Sequence, residues 1–145
     1  MKILITDNIA GQAIDMLRKE FDVELRISLT ENDLIKLIPS YDILIVRSSV
    51  KVTDKIIKAA KSLKLIARPG VGVDNIDTNT AKQVGIPVIN TPLGNVNAAA
   101  EHTIAMMLSM ARHIPKAYIS LKHNRQWERK KFIGVEFKDK TLGVI

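Results

Sequence analysis

The stretch best equipped for chemistry is Arg68-Pro69-Gly70-Val71-Gly72-Val73-Asp74-Asn75-Ile76-Asp77, which follows directly on the short apolar run Leu65-Ile66-Ala67. A strand that stops at glycines two positions apart bares main-chain amides and lets a ligand come close to the backbone. An arginine beside such amides suits a carboxylate or phosphate, because the guanidinium fork matches two oxygens of one anionic group. The same glycine spacing also occurs in loops that only turn, so the reading as a ligand loop depends on what else the chain brings to it. Asp7-Asn8, Arg47-Ser48-Ser49 and Asn90-Thr91-Pro92-Leu93-Gly94-Asn95 each follow another apolar run. Two arginines, small hydroxyls and glycine-bared amides would then line one pocket for a small anion, provided the runs are strands ending on one edge.

The spacing of the runs supports that condition. Strands are expected at Lys2 to Thr6, Asp22 to Arg26, Asp42 to Val46, Lys64 to Ala67, Ile86 to Ile89 and Thr141 to Ile145. Between them Ala13, Ile14, Leu17 and Phe21, then Leu34, Ile35 and Ile38, then Ile56, Ile57 and Ala60 recur at helical spacing. Short, continuously apolar strands belong to a parallel sheet covered by helices on both faces, so the pattern predicts an α/β doubly wound domain. Thr30, Thr53 and Asp77 stand where helix amides need caps, and Pro39 and Gly85 where the second and fourth helices should stop.

Composition sets the outer bounds. At 145 residues, 46% apolar and 26% charged, the chain has the make-up of a soluble globular domain. It has no cysteine, which excludes disulfides and thiolate metal sites. The run Met1 to Asp7 is too short and too weakly charged for a signal peptide, so a reducing, cytoplasmic setting is the default expectation. The formal charge is +7, and five basic residues crowd Lys122 to Lys131 around Trp127 against the single acid Glu128. Such a run can bind nucleic acid by phosphate contact and stacking, but one short run does not make a binding face. A solvated arm packing Trp127 on a neighbouring domain or subunit is the favoured reading.

Ala98 to Arg112 is apolar nearly all round, which predicts a buried helix, with methionines in core or subunit contacts. It carries Glu101 and His102 and falls short of the ~20 residues a membrane span needs, so no membrane role is expected. Pro115 should break the helix before a second piece from Lys116 to Lys122. His102, His113 and His123 lack the spacing and carboxylate company of a zinc site and are expected to cap or pack.

Taken in order, Arg68 to Asp77, Asn90-Thr91-Pro92 with Gly94-Asn95, Ala99-Ala100-Glu101-His102-Thr103, Trp127-Glu128-Arg129-Lys130-Lys131-Phe132 and Lys140 to Ile145 resemble the N-terminal part of the NAD-dependent D-2-hydroxyacid dehydrogenases. The tryptophan-centred basic run narrows the resemblance to the phosphoglycerate branch. It implies a parent enzyme that oxidises 3-phosphoglycerate to 3-phosphohydroxypyruvate with NAD, at the entry to serine synthesis. It further implies a flavodoxin-like substrate domain over residues 1–96, a connecting helix and dimerisation arm over 97–140, and the first strand of a Rossmann nucleotide domain over 141–145. A homodimer or higher homo-oligomer is the implied assembly.

By the same resemblance Arg47, Ser48 and Asn95 contact substrate, and Arg68 neutralises its phosphate. Gly70, Val71 and Gly72 offer amides to its carboxylate, Val71 also lies near the nicotinamide, and Arg129 reaches the phosphate across a dimer. Pro69 departs from the small residue usual there. The G-x-G-x-x-G turn and the family's catalytic arginine, glutamate and histidine have no counterpart here, so this chain alone is expected to be an inactive N-terminal fragment. The alternatives are a non-catalytic module for a small phosphorylated acid, another D-2-hydroxyacid dehydrogenase such as a glycerate or glyoxylate reductase, and a basic nucleic-acid-binding or partner-binding protein. A phosphoacceptor receiver would need an acid after the third strand, where Arg47 stands.

Overall fold

The structure is a computed structural model that describes residues 1–144. It divides into two compact units, Met1–Asn95 and the chain from Val96 onward. In the first, β1 (Lys2–Ile5), β2 (Asp22–Leu25), β3 (Ile43–Ile45), β4 (Leu65–Arg68) and β5 (Val88–Asn90) alternate with α1 (Gly11–Arg18), α2 (Glu31–Leu37), α3 (Asp54–Ala59) and α4 (Thr78–Gln83). The five strands form one parallel sheet in the order β2-β1-β3-β4-β5. Apart from Thr141 onward, each expected strand is present within two residues of its expected bounds.

Register turns the apolar runs into two faces. Ile5 pairs with Ile45, and Ile45 with Ala67, so these side chains share one face, where α1 lays Ile14 and Leu17. Leu4, Leu44 and Ile66 point the other way into the larger core, against Leu34 of α2, Ile56 and Ile57 of α3 and Ala81 of α4. Both faces are covered, and the strands are accordingly apolar at consecutive positions.

Helix punctuation is local chemistry. Thr30 and Asp33 form a reciprocal capping box at α2, each side chain 3.2 Å from the other's backbone nitrogen. Asp77 accepts from the Thr80 amide at 2.9 Å. Thr53 sits at the head of α3 without capping it, because its hydroxyl donates to Glu31 instead. Pro39 lies in a 3-10 turn that finishes α2, and Gly85 takes a φ of 77° after α4, a conformation that costs side-chain-bearing residues energy. Thr30→Ala should lower stability by about 0.5–2 kcal/mol. Urea unfolding should show a lower midpoint and an unchanged slope.

The second unit pairs α5 (Val96–Ala111) with α6 (Ile114–Lys122), and a short 3-10 turn follows at Arg129–Phe132. The break falls at His113, which is left-handed at φ 54°, with Pro115 in the first turn of α6. The expectation that Ala98 to Arg112 is buried is corrected here. No residue of α5 is buried, and Met110 is 73% exposed. Its cover within the unit is α6 and the returning backbone at Gly134, where a Cβ would sit 2.1 Å from the Ala111 carbonyl oxygen. One helix and a returning stretch of backbone cannot enclose a helix that is apolar all round. Thr141 to Val144 form no strand ladder, since a strand exists only by pairing with a neighbour, and Ile145 lies outside the described residues. Trp127 is exposed. No helix among the described residues is long and apolar enough to cross a membrane.

Candidate functional site

From β1 the chain crosses to β2 on one side, while from β3 it runs on to β4 on the other, so the strand order reverses between β1 and β3. In open parallel sheets this is where a crevice forms outside the carboxyl ends of the strands. A cleft of about 280 Å³ lies on that rim. Ile9 and Ala10 line it from the loop after β1, Arg47 after β3, Pro69 and Gly70 after β4, and Thr91, Gly94 and Asn95 after β5.

Arg47, Gly70 and Asn95 of the expected site residues therefore meet in one place. Arg68 is the last residue of β4, and it lines an adjoining apolar hollow under α1 with Met16, Leu17 and Ile89. Ser48, Val71 and Gly72 are exposed on the same rim loops without lining the cleft. Arg129 belongs to the second unit, where it borders a groove with Tyr118, Trp127 and Phe132.

The glycine loop is held at its carbonyls. Thr91 donates its amide to the Gly70 oxygen at 3.0 Å, and Asn90 Nδ2 donates to the Val71 oxygen at 2.6 Å. The N–H groups of Gly70, Val71 and Gly72 donate no backbone hydrogen bond among the described residues, which leaves them available to an anion. A Cβ on Gly70 would stand 2.6 Å from Arg68 Nη1, so the guanidinium lies directly against the loop. Neither Arg47 nor Arg68 forms an ion pair with a carboxylate among the described residues. Among the described residues Arg47 Nη1 donates to the Asn8 carbonyl alone, at 3.3 Å. Two guanidinium groups outside any ion pair, beside amides without a backbone acceptor, are donors of the kind a small anion needs, with the Asp74 carboxylate on the same loop near Gly72.

Two residues that the sequence placed on the rim, without a bracing role, hold these groups. Asp7 is buried at the end of β1 and accepts from the Ser49 amide at 3.1 Å and from the Ser49 hydroxyl. Burial pushes its carboxyl up, but the Ser49 hydroxyl, the backbone N–H groups of Arg47 and Ser49 and the Thr6 hydroxyl outweigh it and hold the carboxyl below its ordinary 3.8. Asn75 donates from Nδ2 to the carbonyls of Arg47 at 2.6 Å and Val50 at 2.7 Å, and accepts from Arg68 Nε at 2.8 Å. Position on the rim loops was the available signal, since the bonds that tie Asp7 to Ser49 and Asn75 to Arg47 and Val50 span 25 to 42 residues and leave no periodicity.

No group of three or more histidine, aspartate or glutamate side chains placed to hold a metal occurs among the described residues. The donors of this rim are of the kind that bind and orient a small anion.

Known proteins carry the same architecture. The chain is 50% identical to a D-3-phosphoglycerate dehydrogenase of Synechocystis over 99% of its own length and 26% of that protein. It is 43% identical to a hydroxypyruvate reductase of Thermotoga maritima over 99% of itself and 47% of that protein. Thus it spans between about a quarter and about half of these relatives' lengths. Among solved structures, NAD+-bound 3-phosphoglycerate dehydrogenase of Entamoeba histolytica superposes with a TM-score of 0.69 at 36% identity, over 77% of this chain and 39% of that one. Residues 3–138 match the family model for the D-isomer specific 2-hydroxyacid dehydrogenase, catalytic domain, and the chain belongs to that family.

Proposed function

We propose that this chain is the substrate-binding portion of a 3-phosphoglycerate dehydrogenase, whose parent oxidises 3-phosphoglycerate to 3-phosphohydroxypyruvate with NAD at the entry to serine synthesis in the cytoplasm. The observation that carries this reading is the junction of Arg47 with the free amides of the Gly70 loop at one cleft, beside an Arg68 in no ion pair among the described residues. A three-carbon acid with a carboxylate at one end and a phosphate at the other presents two anionic groups to these donors. Arg47 and Arg68 hold the anionic ends, Gly70 and Gly72 contribute amides, and Ser48 and Asn95 complete the substrate contacts.

Residues 1–96 serve as the substrate domain. Residues 97–140 are the connecting helix and dimerisation arm, from which Arg129 reaches the phosphate bound by a second copy. Residues 141–145 begin the nucleotide domain. Val71, 46% exposed on the loop and fixed through its carbonyl, offers an apolar contact that fits a nicotinamide ring. NAD, when bound, supplies the hydride acceptor. The donors of this chain orient the substrate, and the proton from its hydroxyl leaves by groups of the parent outside these residues.

The likeness to a hydroxypyruvate reductase favours a second reading, in which the acid carries no phosphate. Calorimetric titration of the chain with 3-phosphoglycerate and with glycerate separates the two. The first reading expects 3-phosphoglycerate to bind at least tenfold more tightly, about one ion-pair interaction. Equal affinities would favour the second, and no binding of either would remove the site.

A further inference from the structure

We infer that Asn75 is a positioning residue that couples the two arginine-bearing loops, tying the main chain of Arg47 at the cleft to the guanidinium of Arg68 beside it. Its backbone is anchored below the rim. Val52 donates to the Asn75 carbonyl at 2.8 Å, and Asp77 donates back to Val52 at 2.9 Å. The flanking Ile76 and Val52 are both buried in the larger core. The side chain rises from this fixed root between the two loops.

All of its hydrogen-bonding groups are used in one orientation. Both Nδ2 hydrogens meet carbonyls of the Arg47–Val50 loop, and Oδ1 meets the Nε–H of Arg68. Turned over, the amide would set its oxygen against two carbonyls and its nitrogen against a donor, so the orientation is determined by the partners. No other side-chain type of this length supplies two donors and one acceptor in that plane. Aspartate keeps the acceptor and loses both donors.

The consequence falls on the arginines. The Arg47 carbonyl is tied at 2.6 Å, which fixes the main chain from which that side chain enters the cleft. Among the described residues Arg68 is held through Nε, and its Nη1 lies against the Gly70 loop and its free amides. Preorganising two cations before the ligand arrives removes their ordering cost from binding. The ligand class this selects is a short dianion with charge at both ends, and that part of the inference rests on the function proposed above.

The test uses the whole chain and two readouts. Exchange of the Arg68 Nε–H with water, followed by nitrogen-15 NMR without ligand, should speed up about tenfold or more in Asn75→Ala, as expected for loss of a single acceptor. In Asn75→Asp the same signal should stay slow while amides of residues 48–50 exchange faster. Titration with 3-phosphoglycerate should show affinity falling about tenfold in Asn75→Ala. Unchanged Arg68 exchange in Asn75→Ala overturns the coupling, as does an Asn75→Asp profile that changes equally in both loops. Should Asn75→Ala not fold, the Asn75→Asp profile decides alone. If the unsubstituted chain binds no 3-phosphoglycerate, the proposed function fails, whereas the exchange readout still decides the role of Asn75.

Discussion

Replacing Arg47 and Arg68 together by alanine is expected to weaken 3-phosphoglycerate binding by about 10²–10⁴-fold, from roughly 1.5–3 kcal/mol for each lost charge-assisted hydrogen-bonding group. The size of the effect follows from what these side chains lack. Neither side chain is in an ion pair among the described residues, so a ligand anion need not displace a carboxylate from them. For the same reason the fold should tolerate the change. The bonds lost are one from Arg47 to the Asn8 carbonyl and one from Arg68 to Asn75, both at a partly solvated rim. Titration calorimetry beside a urea melt reads both quantities. Affinity lost with stability kept is the expected result, and retained affinity would show that the cleft is not the anion site. Arg68→Lys refines it: the charge stays and the planar fork is lost, so binding should fall by an intermediate amount if paired donors matter.

How far the sequence led can be judged at particular residues. The sheet was legible because a parallel strand buried on both faces must be apolar at consecutive positions, as Ile3-Leu4-Ile5 and Ile43-Leu44-Ile45 are. Legible strands in a right-handed alternation place every following loop on one edge, and so Arg47, Gly70 and Asn95 could be brought together before any coordinates. Strand ends were less certain: Arg68, read as the first loop residue, is the last residue of β4 and pairs with Asn90. The apolar helix from Ala98 misled because hydropathy records a demand for cover, whereas burial records whether cover is supplied. Asn75 was quoted within the loop motif without a role, since two of its three partners, the Arg47 and Val50 carbonyls, lie 28 and 25 residues away. An asparagine in a turn ordinarily bonds its own neighbours.

The buried carboxylate of Asp7 should make the Arg47 loop sensitive to acid. Asp7→Ala removes the acceptor of the Ser49 amide and hydroxyl and of the Thr6 hydroxyl. The expected loss at neutral pH is about 1.5–3 kcal/mol, the value of hydrogen bonds to a charged acceptor. Its pH dependence has a fixed sign. The folded carboxyl titrates below its ordinary 3.8, so the ionised form is favoured by folding. The contribution is therefore full above 3.8 and is lost as pH falls through the lower folded value. Asp33, Asp42, Asp54, Asp77 and Glu24 are also held below their ordinary values, chiefly by hydrogen bonds, and they weaken the parent and the variant alike. The difference between Asp7→Ala and the unsubstituted chain isolates Asp7. Urea unfolding from neutral pH down to about pH 3 should show that difference constant above the ordinary aspartate range and shrinking below it. A difference that stays constant throughout would mean that the carboxylate charge does not brace Ser49. Arg47 would then depend on Asn75 for the placement of its main chain.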